Sequence, residues 1–76
     1  MEERNKIIIE TIEKERKMLA EITEFQSKLK QNYCDKVINS LSNQEKIKIA
    51  EMEMGCLQLI GEIKTIIKHL ENEVGK

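Results

Sequence analysis

The hydrophobic pattern in the C-terminal half of the chain places two apolar stripes on one long predicted helix. One stripe recurs in steps of three and four, as in the seam of an antiparallel coiled coil. Its members are Ile49, Met52, Cys56, Leu59, Ile60, Ile63, Ile66, Ile67, Leu70 and Val74. The second stripe lies on a different face and consists of Ile47, Ala50, Met54, Leu57 and Gly61. Because one partner helix can cover only one stripe, the second predicts contact with another chain.

The N-terminal half carries one matching seam, which predicts a second long helix. Its members are Ile8, Ile12, Leu19, Ile22, Leu29 and Tyr33, with Met18 and Phe25 on the adjacent heptad position and Glu15 and Gln26 as interruptions. If the chain folds back between the two halves, opposed residue numbers sum to about 83 and the two seams align layer for layer. This alignment predicts an antiparallel hairpin in which Leu19 packs on Ile63.

We expect an all-α fold with a single domain over residues 1–76. Helix 1 is predicted over about residues 3–40, the turn at 41–42 and helix 2 over about 43–74. Two long helices alone bury little surface, so we expect the hairpin to dimerise into a four-helix bundle.

Local signals mark the ends of the predicted helices. Ser42 and Glu45 match the S-x-x-E capping box that begins a helix, and Gly75 suits the position just after a helix end. After Tyr33 the apolar residues follow in steps of four, which rotates an apolar face around a straight helix. Helix 1 either continues through this segment or breaks near Gln31–Asn32 into a separate short helix, and we favour the continuous helix.

The balance of charges argues against a dedicated nucleic-acid-binding domain. Lys and Arg number 13 against 14 Asp and Glu, for a net charge of −1. A basic face built across a dimer from Lys14, Lys17, Lys28 and Lys30 is the one arrangement that would favour RNA. No signal peptide or membrane-spanning stretch is recognisable, so we expect a cytoplasmic protein. The excess of Ile, and of Lys over Arg, is typical of AT-rich genomes and favours a bacterial or phage source.

Few residues in this sequence could carry catalysis or bind a metal. Cys34 and Cys56 are expected to lie too far apart along the axis of the hairpin to form an internal disulfide. We expect both to be small, buried apolar residues. His69 has no companion in a metal-binding spacing, and we predict no metal, cofactor or small-molecule ligand. Gly61 continues the second stripe, where close approach of a neighbouring helix offsets its low helix propensity. Gly55 lies on neither stripe.

These features favour a non-enzymatic protein-interaction module, namely a small regulator, adaptor or inhibitor that acts through helix–helix contacts. The predicted partners are a second copy of the chain and another protein. The predicted contact surface is the second stripe, which we expect the second copy to bury, so that Leu57→Glu would dissociate the dimer. One alternative is an obligate helical co-chaperone or structural assembly subunit of a secretion or phage type. A further alternative is a dimeric RNA-binding copy-control protein. The regulator and the assembly subunit differ in whether the protein folds stably without its partner.

Overall fold

The structure, a computed structural model, describes residues 2–75, and three α-helices account for nearly all of them. They are α1 (Glu2–Asn32), α2 (Asp35–Asn39) and α3 (Asn43–Glu73), and no strand occurs within the described range. The long helices α1 and α3 pack against each other side by side and run in opposite directions. The predicted all-α antiparallel hairpin is therefore confirmed.

The core is a thin line of apolar side chains between α1 and α3. The buried residues are Ile12, Leu29, Ile49, Cys56, Ile63 and Ile67. All of them belong to the two predicted seams. Ile12, Ile63 and Ile67 form one cluster, against which partly buried residues, Leu19 among them, are packed. Leu19 and Ile63 thus share one packed region, and the direct packing of Leu19 on Ile63 stays a prediction.

Two ion pairs across the hairpin show its register. Arg4 Nη2 lies 3.1 Å from Glu73 Oε2, and Arg16 Nη2 lies 3.0 Å from Glu71 Oε2. The residue numbers of these pairs sum to 77 and 87, on either side of the predicted sum of about 83. Long side chains can reach residues above or below their own level, so both contacts agree with the predicted alignment.

The continuous first helix predicted over residues 3–40 is wrong, because the chain breaks after Asn32. Cys34 has an extended backbone, with φ −68° and ψ 169°, and its carbonyl accepts from Val37 N and Ile38 N to begin α2. Steps of four would carry the apolar residues of a straight helix around its circumference and away from α3. The break removes that rotation, and Ile38 lies half-buried in the short helix that follows.

The predicted capping box begins α3. Ser42 Oγ accepts from Glu45 N at 3.2 Å, and the Glu45 carboxylate accepts from Ser42 N at 3.3 Å. At the other end Gly75 has a positive φ of 89°, as expected just after a helix end, and its N–H donates to Asn5 Oδ1 of α1. The connection between the long helices is longer than the turn predicted at 41–42, because it includes α2.

The hairpin is elongated and leaves much of its surface exposed. The Cα atoms span 57 × 15 × 12 Å, with a radius of gyration of 17.3 Å. A compact domain of this length would have a radius of gyration of about 11 Å. The accessible surface is 6129 Å², whereas a compact folded chain of 8.9 kDa exposes about 4,800 Å². The single hairpin therefore has far more exposed surface than a self-sufficient domain of its mass.

Candidate interaction surfaces

The second apolar stripe predicted from the sequence lies on the exposed surface of α3. We call it the α3 stripe, and it consists of Ile47, Ala50, Met54, Leu57 and Gly61. Its three large side chains, Ile47, Met54 and Leu57, are 57%, 69% and 60% exposed. No residue of α1 covers them, since the buried positions of α3 belong to the other stripe.

A shallow groove crosses the outer surface of α3 at Gly61. Its lining residues are Leu57, Gln58, Gly61, Glu62, Thr65 and Ile66. A Cβ atom placed on Gly61 would meet nothing within 4 Å, and the same is true of Gly55. Packing within the hairpin therefore does not explain either helical glycine. The missing side chain at Gly61 leaves a depression in which an external side chain could lie beside Leu57.

A second exposed apolar surface includes three residues that the hydrophobic pattern assigns to the seam of α3. The exposed fractions of Met52, Leu59 and Ile66 are 43%, 48% and 44%. The prediction that these three side chains belong to the buried seam is therefore wrong. Adjacent helical residues point about 100° apart, so in a pair such as Ile66 and Ile67 only one member faces α1. Ile67 is buried and Ile66 remains at the edge of the hairpin.

Exposed apolar residues of α1 lie on this same edge. Residues seven apart stay on one side of a helix in a coiled coil, and the contact between Arg4 and Glu73 joins one such row from each helix. Steps of seven from Arg4 lead to Met18 and Phe25, which are 46% and 48% exposed. Steps of seven back from Glu73 lead to the three exposed residues of α3. The resulting two-helix face consists of Met18, Phe25, Met52, Leu59 and Ile66.

The α3 stripe lies toward the opposite edge of the hairpin. The contact between Arg16 and Glu71 marks that edge, and two steps of seven back from Glu71 lead to Leu57. The two apolar surfaces therefore flank the seam on different sides. A single helix packed against one of them leaves the other exposed.

Residues with reactive or metal-binding side chains are scattered over the hairpin. Cys56 is buried as predicted, whereas Cys34 is exposed because the helix break places it at the start of α2, and both thiols are free. His69 is exposed on α3. Within residues 2–75 no group of three or more His, Cys, Asp or Glu side chains has a metal-binding arrangement. On the described surface, the candidate binding sites are thus the two apolar surfaces, the α3 stripe and the two-helix face.

None of the helices in the described part of the chain combines the length and the apolar character needed to cross a membrane. No family model matches the sequence, and no curated protein or solved structure is significantly similar to it. The fold and the two surfaces define the chain as a helical hairpin with an exposed apolar surface on each side of its seam.

Proposed function

We propose that this chain is a non-enzymatic protein-interaction module, a small regulator, adaptor or inhibitor that works through helix–helix contacts. It acts as a homodimer in a four-helix bundle and uses the α3 stripe to bind a helix of another protein.

The observation that carries this proposal is the surplus of exposed surface on the hairpin. The accessible surface exceeds that of a compact chain of equal mass by about 1,300 Å². A standard protein–protein interface takes about 800 Å² from each partner. Association with other chains covers such a surplus, and folding of the single hairpin does not.

The α3 stripe has the form of a docking site for an amphipathic helix. Its residues recur along one helix in steps of three and four, the spacing with which a partner helix presents its own apolar residues. Met54 is the most exposed of its large side chains and is flexible enough to adapt to the shape of a partner. Gly61 permits close approach of the partner backbone at the groove beside Leu57.

Site-specific photo-crosslinking in host cells tests the proposed function. A benzophenone amino acid replaces Leu57 in the α3 stripe, and a control variant carries it at Lys17, which is exposed on α1. We expect position 57 to crosslink to one defined protein, and Met54→Glu to abolish that product through an unpaired charge in the contact. Identical products from positions 57 and 17 would contradict a binding site on the stripe.

The behaviour of the purified, unaltered chain distinguishes a regulator from an obligate assembly subunit. A regulator of the proposed kind folds stably without its target, so the purified chain is expected to be helical and to unfold cooperatively on heating. A chain that aggregates alone and becomes soluble only with the crosslinked protein would identify an assembly subunit instead.

A further inference from the structure

We infer that the two-helix face, formed by Met18, Phe25, Met52, Leu59 and Ile66, is the surface on which a second copy of this chain docks. The inference rests on the proposed function and deepens it. It assigns self-association to this face instead of the α3 stripe, where the hydrophobic pattern alone places it, and leaves the stripe for a different protein.

The width of the face matches that of a second hairpin. Its apolar residues come from both helices, so its occupant must span the width of two helices. A second hairpin laid along the full 57 Å length and 15 Å width of this one would cover an outline of about 850 Å², close to the ~800 Å² per partner of a standard interface. The five apolar residues lie in the middle ~20 Å of that outline. A single partner helix would cover only part of that width.

The heptad positions of these apolar residues also favour formation of a four-helix bundle at this face. Helices that face the core of a four-helix bundle carry apolar residues at the seam positions and at one flanking position. In this chain the flanking position on one edge is apolar in the middle of both helices, with Phe25 level with Leu59 and Met18 level with Ile66. On the opposite edge the corresponding positions of α1 are polar except for Ile9, and Arg16 there forms an ion pair with Glu71.

The charges around the face do not oppose self-association. Arg4 and Glu73 lie at its far end and neutralise each other in an ion pair. The positions between that pair and the turn are uncharged at the heptad position that forms the face, except for Glu45 at the start of α3. Glu45 is held in the capping box. A second copy therefore meets an apolar surface with no concentrated charge of its own sign.

Sedimentation equilibrium of two matched variants tests the assignment. Leu59 and Leu57 lie two residues apart on α3 and are both largely exposed in the single hairpin, but they belong to different surfaces. We expect Leu59→Glu to raise the dimer dissociation constant by roughly 30-fold or more, because each copy brings an unpaired carboxylate into the interface. Leu57→Glu is expected to leave the constant within about threefold of the parent value.

The outcomes separate this inference from the proposed function. Dissociation by Leu57→Glu but not by Leu59→Glu would overturn the assignment of faces while leaving a dimeric interaction module. A folded, monomeric parent protein would overturn self-association as a whole. Circular dichroism of both variants shows whether the helices persist.

A measurement on the unaltered sequence does not depend on the folding of any variant. Phe25 is the only phenylalanine of the chain, so its ring protons give a distinct NMR signal. In a mixture of isotope-labelled and unlabelled copies, we expect intermolecular nuclear Overhauser effects from this ring to Leu, Ile or Met methyl groups. A dimer whose Phe25 ring shows contacts only within its own copy would overturn the inference.

Discussion

At the residue scale, Ser42 determines where the second long helix begins. Its hydroxyl and the Glu45 carboxylate satisfy two backbone N–H groups that the first turn of α3 would otherwise leave without a partner. The connection from α2 to α3 contains neither Gly nor Pro, so this pair of hydrogen bonds is the main local signal for the helix start.

Replacing Ser42 with Ala is expected to lower the free energy of unfolding by about 1 kcal/mol, because it removes the cap of α3. Urea denaturation at one fixed protein concentration measures the change. Ser27→Ala is the matched control, since Ser27 is exposed inside α1, where Ala has the higher helix propensity. Equal midpoints for the parent and Ser42→Ala would show that the cap does not stabilise α3.

Replacing Gly61 and Gly75 with Ala is expected to change the stability of the protein in opposite directions. Gly61→Ala is expected to stabilise the protein by about 1 kcal/mol, because the added methyl group meets nothing in the hairpin and Ala favours the helix. Gly75→Ala is expected to destabilise it by up to about 1 kcal/mol, because its φ of 89° strains a residue with a side chain. Thermal unfolding checks both signs, and a loss of stability at Gly61 would indicate that the methyl group meets a packed neighbour in the assembly.

At the scale of elements, the stability of the hairpin depends on one seam between α1 and α3. Ile63 is the most buried of the described residues, at 3% exposure, and Leu19 packs against the cluster that contains it. The short helix α2 has no buried residue and adds little to this seam.

Truncation across the seam tests the register of the hairpin. Ile63→Ala is expected to cost roughly 2–5 kcal/mol, and Leu19→Ala a smaller amount because Leu19 is only partly buried. The double variant is expected to be non-additive by at least about 0.5 kcal/mol, since neighbouring side chains share the same cavity. Denaturant unfolding of the four proteins gives this coupling energy, and strict additivity would place the two residues in different layers.

The elements illustrate what the heptad pattern can and cannot predict. The seams were predictable because burial between two helices imposes a 3.5-residue repeat on each of them. The break after Asn32 was not favoured, because residues 32–35 contain neither Gly nor Pro and a change of apolar spacing fits a wrapped helix as well as a broken one. The exposure of Cys34 follows from that break.

The sequence predicted one of the two apolar surfaces and not the other. The α3 stripe was predictable, because its residues are separated from the seam on the helix surface. The two-helix face was not recognised, because Leu59 and Ile66 are each followed directly by another apolar residue. Which member of each pair faces α1 depends on the rotation of the helix, which the ion pair between Arg4 and Glu73 reveals.

At the scale of the whole molecule, the hairpin has one thin core and an apolar surface on each side of it. Its 57 Å length and its surplus of accessible surface are typical of one half of a bundle rather than of a complete domain. In the proposed assembly a second copy covers one side, and the α3 stripe remains available for another protein.

Sedimentation equilibrium of the unaltered protein at micromolar concentration determines whether the hairpin associates with a second copy. The proposed assembly predicts a single folded species with about twice the 8.9 kDa mass of the chain, as required for a two-hairpin bundle. A stable, helical species with the mass of one chain across the same concentration range would contradict it, because the hairpin would then be self-sufficient with both apolar surfaces exposed.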